Sequence, residues 1–234
     1  MRPVLALTLA LVACGGKSAE KPAEKPAEKP AEKPAEKPAE KPAEKPATGI
    51  VASPVALSAL PGGLGLLGEP VSATGWTDSD GENLLVLTAV AEHPMSSRDP
   101  DLRGAELYGY QLTRKGDAWT ELWKIQDFVK DCPNDITARH LTDSVTVTDL
   151  DGDGQAETAW VYRIACRGDV SPATQKILMH EGPIKYALRG EARIQAGSEV
   201  YGGTFTADPA FSGAPPAFLD AAKGLWKKYE LETF

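Results

Sequence analysis

The chain has 234 residues, with 25 Lys+Arg against 33 Asp+Glu and a formal net charge of −8. That acidic balance excludes a nucleic-acid partner, because gripping a phosphate backbone needs a basic surface. No apolar run in the sequence reaches the roughly 20 residues that a membrane-spanning helix requires.

Residues 1–46 differ in kind from the rest. Arg2 opens a short apolar run that ends in Leu11-Val12-Ala13-Cys14. One cation, a brief hydrophobic stretch and small residues form the layout of a secretory signal, too short to cross a bilayer. The closing tetrapeptide resembles a bacterial lipobox, which implies cleavage after residue 13 and a diacylglycerol on Cys14. Palmitate-type acylation of the new N-terminus would add the second anchor that stable attachment needs. Gly15 and Gly16 follow the Cys, with no Asp of the kind that retains lipoproteins at the inner membrane, so the outer membrane is favoured.

From Ala19 to Pro46 the unit Ala-Glu-Lys-Pro repeats seven times. Pro at every fourth position removes helix donors and biases the preceding residue away from the helical region. The tract has nothing larger than Ala to bury, so it reads as a disordered, semi-rigid spacer. At about 3.1 Å per residue it would reach roughly 80–90 Å when extended. The remaining residues, 47–234, hold 16 Lys+Arg against 26 Asp+Glu and all five Trp.

Pro54, Pro61, Gly62, Gly63, Gly65, Gly68 and Pro70 predict an irregular lead-in over residues 49–82. Beyond it, apolar runs alternate with turn signals. Leu84–Ala91 reads as a strand, and Ala105–Arg114 and Ala118–Val129 as a hairpin around Lys115-Gly116-Asp117. Trp119, Leu122 and Trp123 also fit helical spacing, which leaves the second arm ambiguous. Val145 and Val147 mark a strand over Ser144–Thr148. Thr158–Cys166 alternates, placing Trp160, Tyr162, Ile164 and Cys166 on one face. Thr174–His180 and Tyr186–Ile194 suggest another hairpin across Glu181-Gly182-Pro183. After Pro215-Pro216, the stripe Phe218, Ala221, Ala222, Leu225 and Tyr229 predicts a helix.

The sharpest local signal is Asp149-Leu-Asp151-Gly-Asp153-Gly-Gln155-Ala-Glu157. Oxygen donors at alternate positions, with Gly154 sixth, are what a loop needs to wrap a hard cation such as Ca²⁺. Asp149, Asp151 and Asp153 would give carboxylates, Gln155 its backbone carbonyl and Glu157 a ninth-position carboxylate. Position twelve is Trp160 and both flanks are strand-like, so this is not a paired-helix calcium hand. It resembles the calcium loops of FG-GAP and integrin-propeller hairpins. A metal-free Asp-Gly turn is the competing reading. Asp-Leu-Asp-Gly also resembles a haloacid-dehalogenase nucleophile motif, but that fold needs alternating strands and helices, which do not follow here.

With Cys14 lipidated, Cys132 and Cys166 remain, and an exported chain most simply pairs them in a disulfide bracketing the Asp loop. His93, His140 and His180 show no ligand-type spacing. Arg167-Gly168-Asp169 directly follows a strand and reads as a turn.

Residues 127–228 resemble a family of bacterial envelope lipoproteins labelled surface polysaccharide biosynthesis protein. The resemblance rests on Asp-Phe-Val-Lys-Asp-Cys-Pro (127–133), Thr-Val-Thr-Asp-Leu-Asp-Gly-Asp-Gly-Gln-Ala-Glu (146–157) and Ala-Cys-Arg-Gly-Asp-Val-Ser-Pro (165–172). It continues through Lys-Tyr-Ala-Leu-Arg-Gly (185–190), Tyr-Gly-Gly (201–203) and Leu225-Trp226. It implies an envelope location and one unit containing both cysteines and the Asp loop.

The sequence therefore predicts a signal peptide (1–13), a lipidated Cys with a disordered tether (14–48), an irregular lead-in (49–82) and a globular domain (83–234). The domain is expected to be mainly β, built of antiparallel hairpins or a meander, sandwich- or propeller-blade-like, with one C-terminal helix. The expected function is non-catalytic presentation of a calcium-binding, disulfide-bonded domain to a glycan or an envelope protein, with the lipid contacting the membrane. The alternative is an enzyme or accessory factor of surface polysaccharide metabolism. No Gly-x-Ser-x-Gly elbow, His-Glu-x-x-His helix or phosphate loop supports the enzyme.

Overall fold

A computed structural model describes residues 49–233 of the chain. The signal, Cys14 and the repeat tract lie outside the described residues. The described part is mainly β, with antiparallel sheets and one C-terminal α-helix.

Strands β1 (Ser53–Pro54), β2 (Glu69–Asp78), β3 (Gly81–Pro94), β4 (Arg103–Lys115) and β5 (Ala118–Cys132) form one five-stranded meander. Strands β6 (Asp135–Thr148), β7 (Glu157–Arg167), β8 (Thr174–Glu181) and β9 (Ile184–Glu191) form a second, with β12 (Phe205–Ala207) on the outer edge of β9. A short hairpin of β10 (Arg193–Ala196) and β11 (Glu199–Gly202) lies between them in sequence. Helix α1 spans Pro216–Tyr229.

The apolar side chains sort into layers. Trp76, Leu85, Leu87, Leu107 and Trp123 of the first sheet pack against Trp160, Tyr162, Leu178 and Ala187 of the second. Trp123 and Trp160 stack nearly parallel across this interface, with ring centroids 6.0 Å apart. Gly109 makes room for them, since a Cβ there would lie 2.9 Å from the Trp160 ring. The other face of the second sheet packs on α1 through Val161, Ile177, Leu188, Phe218, Ala222 and Trp226. The other face of the first sheet is covered by the lead-in, through Val55, Leu60, Leu64 and Leu66.

Three sequence expectations change as a result. The lead-in is not wholly irregular: Glu69–Asp78 is a full strand, paired with β3 from Glu69↔Ala89 to Asp78↔Gly81. Pro70 sits where the register shifts, between Pro70 and Ser72, so its missing N–H is absorbed by a bulge. The ambiguous arm after Lys115 is strand, fixed by its long pairing with β4. Strand β7 does not bury one face only. Ala159, Trp160, Val161 and Tyr162 are all buried, because the other sheet covers one side and α1 the other.

The chain crosses from one sheet to the other between β5 and β6. Asp131, at φ 51°, is the one non-glycine residue with positive φ among the described residues, and it sits at this corner. Cys132 and Cys166 form a disulfide here, with Cα atoms 5.6 Å apart. The bond joins β5 of one sheet to β7 of the other. It lies at the end of β7 away from the Asp loop, so it fastens the two sheets rather than bracketing that loop.

His140 on β6 reaches across the interface, its Nε2 3.2 Å from the Thr88 carbonyl, while Nδ1 is buried without a partner. Burial pushes its pKa down to about 4, against weaker pulls from the backbone at Thr88 and Tyr108.

Two outcomes are expected. Replacing both Cys132 and Cys166 by Ala lowers the unfolding free energy by about 3–4 kcal/mol, the loop-closure value for a separation of 34 residues. Urea titration checks this. Secondly, the unfolded chain takes up a proton on His140 near its ordinary value, before the folded chain does at about 4. The stability this group contributes is complete above pH 6.5 and is lost as pH falls towards 4. Between pH 7 and pH 5 the wild type should lose about 2 kcal/mol more than His140→Gln. Equal losses would show that His140 protonates as readily in the fold as outside it.

Candidate metal centre

The Asp loop connects β6 to β7 and folds on its own amides. Asp149 is 5% exposed, and its two carboxylate oxygens accept the Gly152 N–H (2.6 Å) and the Gly154 N–H (3.1 Å). Asp151 accepts the Asp153 N–H at 3.2 Å, and Asp153 accepts the Gln155 N–H at 2.7 Å. The Asp151 and Asp153 bonds are Asx turns, each reaching two residues on, whereas Asp149 clasps amides three and five residues away, and together these bonds coil the backbone tightly. Gly154, at φ 91°, takes a conformation that a side chain would strain.

The structure gathers the predicted carboxylates. Asp149, Asp151 and Asp153 can each place an oxygen within 4.8 Å of the others. Asp151 and Glu157 do the same with Glu181, a residue the sequence reading missed. Gln155, predicted to contribute its backbone carbonyl, also sends its side-chain amide to Asp80, 2.6 Å away. Among the described residues, neither of these groups contains a His or Cys.

Glu181 arrives through strand register. Glu157 and Glu181 are direct partners on β7 and β8. Like charges placed opposite one another on neighbouring strands are destabilising. Glu157 is only 1% exposed. Its Oε2 accepts the Leu150 N–H at 2.6 Å, but its Oε1 is buried with no hydrogen-bond partner. Burial pushes the Glu157 pKa up to about 8, the Leu150 N–H opposes this, and Asp151 and Glu181 add to the rise. Burial also raises Glu181, reinforced by Asp151 and Asp153. A divalent cation beside these groups would give the orphaned oxygen a partner and offset the repulsion.

The site is tied to the first sheet as well. The turn joining β2 to β3 donates the Ser79 N–H to the Gly154 carbonyl at 2.9 Å. Asp78 accepts the Ala156 N–H at 3.3 Å. The turn between β8 and β9 closes the other side, where a Cβ on Gly182 would come 3.0 Å from the Gln155 side-chain oxygen. The Glu181-Gly182-Pro183 turn was legible in the sequence. The connection from β7 to β8 carries no turn signal that fixes its register, so the placement of Glu181 opposite Glu157 was hidden.

Glu157→Gln keeps an oxygen for the Leu150 N–H and has neither to take up a proton nor to bury a charge on folding. In chelator its unfolding free energy should rise by about 1–3 kcal/mol over wild type, the range for an unsatisfied buried group. Denaturant curves in chelator measure this, and a fall would show that the carboxylate is satisfied within the protein alone.

No protein-family model, curated protein or solved structure matches the chain.

Proposed function

We propose that this is a lipid-anchored protein of the bacterial cell envelope that presents a calcium-binding β domain for recognition of a glycan or an envelope protein, without catalysis. Cys14 is the anchor, the Ala-Glu-Lys-Pro tract is the spacer, and the outer membrane is the favoured location. The observation that carries the calcium reading is the Glu157 carboxylate, which is buried, faces Glu181 across the ladder and has one oxygen without a partner. A metal-free turn has no need of such a group.

The composition of the site points to Ca²⁺. All the gathered side chains offer hard oxygen. They come from a loop and a strand pair, which suits an ion tolerant of irregular geometry better than one that demands an octahedron. Extracellular calcium modules bind at about 10⁻⁴–10⁻³ M, a range in which a permanently filled structural site is reasonable. A raised carboxyl pKa is also what a general acid needs. Glu157, however, is 1% exposed and sealed between strands, which favours a structural ion over a group that meets substrate.

The test is thermal unfolding of the oxidised full chain in 5 mM Ca²⁺ and in chelator. Occupancy at that excess should add about 1–2 kcal/mol, which raises the midpoint by about 2–8 °C for a domain of this size. Asp151→Ala, which removes the carboxylate shared by both groups, should abolish the rise. A cooperative melt with the same midpoint in both conditions would make the loop a turn and remove the calcium claim.

A further inference from the structure

A cleft of about 620 Å³ opens on the first sheet, between the lead-in and the β2–β3 hairpin. Its size is ordinary for a small-ligand site. Gly75 and Leu84, cross-strand partners, belong to its lining, and so do Trp76 and the half-buried Trp119. Ser53, Thr77 and Glu82 add polar groups.

The lining narrows the choice of occupant. Among the described residues, Glu82 is its single charged lining residue, and Arg114 already pairs with it at 2.8 Å. No described Lys or Arg lines the cleft, so an anionic chain finds no free counter-charge among them. A peptide adding as a strand would need an open ladder. The edge strand here, β1, is two residues long and ends in Pro54, which has no N–H to give. An indole beside hydroxyl and carboxylate groups suits a ligand with one apolar face and a polar rim. A pyranose ring has that shape: its C–H face stacks on an aromatic ring, and its hydroxyls meet the polar groups.

The cleft and the Asp loop share one carboxylate. Asp78 Oδ2 accepts the Trp76 indole N–H at 2.7 Å and the Ala156 N–H at 3.3 Å. Asp78 Oδ1 accepts the Asn83 amide at 2.8 Å. Trp76 and Asn83 belong to the cleft's lining as buried residues of the strands beneath it, 4% and 2% exposed, and Ala156 precedes Glu157. We infer that this cleft binds a neutral carbohydrate chain, and that cation occupancy of the Asp loop fixes the cleft through Asp78. The coupling rests on the calcium reading proposed above, whereas the cleft itself does not.

Titration calorimetry on the oxidised full chain tests both parts. The probes are maltohexaose, cellohexaose, laminarihexaose and chitohexaose, with the (Ala-Glu-Lys-Pro)7 peptide as the competing class. Saturable binding of at least one oligosaccharide is expected, weakened at least tenfold by Trp119→Ala and by Gly75→Val. Gly75→Val would narrow the cleft, since even a Cβ there lies 3.2 Å from Val55. Chelator, or Asp78→Asn, should weaken binding at least threefold. A cooperative melt kept in Trp119→Ala and Gly75→Val shows that those variants are folded, and the calcium-dependent rise in midpoint reports the calcium reading separately. Binding of none of the oligosaccharides, binding of the peptide alone, or sugar binding indifferent to both cleft substitutions would overturn the cleft. Sugar binding that needs Trp119 but ignores chelator and Asp78→Asn would overturn the coupling.

Discussion

The pairing of Glu157 with Glu181 across the β7–β8 ladder is the constraint around which this end of the molecule is arranged. An antiparallel register offers no escape from it. A slip by one residue would turn the apolar set of β7 to the wrong faces, and β7 is buried on both. The two carboxyls must therefore stay opposed, with Asp151 and Asp153 close enough to raise Glu181 further. Such a cluster has two resting states. A proton on Glu157 relieves part of the repulsion, the direction in which burial, Asp151 and Glu181 push its pKa, and a cation would relieve more of it. The loop's own amides help in both, because they occupy Asp149 with backbone N–H groups and leave Glu157 with the unsatisfied oxygen.

The two sheets are fastened at opposite ends of β7 by different means. The disulfide joins Cys132 of β5 to Cys166, near the end of β7. At the start of β7, the β2–β3 turn holds the Asp loop through Ser79 and Asp78. Between these ties lies the Trp123–Trp160 stack, backed by Gly109. The covalent tie acts mainly on the unfolded chain, whereas the polar tie acts on the folded one and is as strong as the loop is ordered. An ion in the loop would strengthen one end of the sandwich without altering the other.

The hairpins were legible because turn residues and apolar runs are local signals. Lys115-Gly116-Asp117 and Glu181-Gly182-Pro183 each separate strands that pair as expected. Strand β2 was not legible, because Pro70 and the glycines around it mimic a loop, and only pairing with β3 shows that a bulge absorbs the proline. The two-sided burial of β7 was hidden for a related reason: alternation reports one covered face, and the helix that covers the other lies far along the chain. Trp226 joins Phe218 and Ala222 on the buried face of α1, outside the stripe read from periodicity. The clustering of the Asp loop's carboxylates was readable because its spacing is local. Glu181 and Asp78 were not, because they belong to the site through register and through contact between sheets.

Charge counting bears on which state the loop prefers. Asp149, Asp151, Asp153, Glu157 and Glu181 bring five carboxyls together. The N–H groups donated to Asp149 stabilise its charge without cancelling it. A single divalent ion leaves a net negative balance even if Glu157 keeps its proton, so the site would hold its ion by charge excess as well as by geometry. The same excess explains why a small, strongly hydrated ion has less advantage here. Attraction alone draws any divalent cation, but shedding water is easier for Ca²⁺ than for Mg²⁺, and exposed Asp151 and Asp153 can adjust to the larger ion. The buried side of the site, set by Glu157 and the β7–β8 register, cannot adjust. Under the proposed calcium reading, specificity would come from one rigid wall facing one compliant loop, an arrangement that the pleat of two central strands provides and a free turn does not.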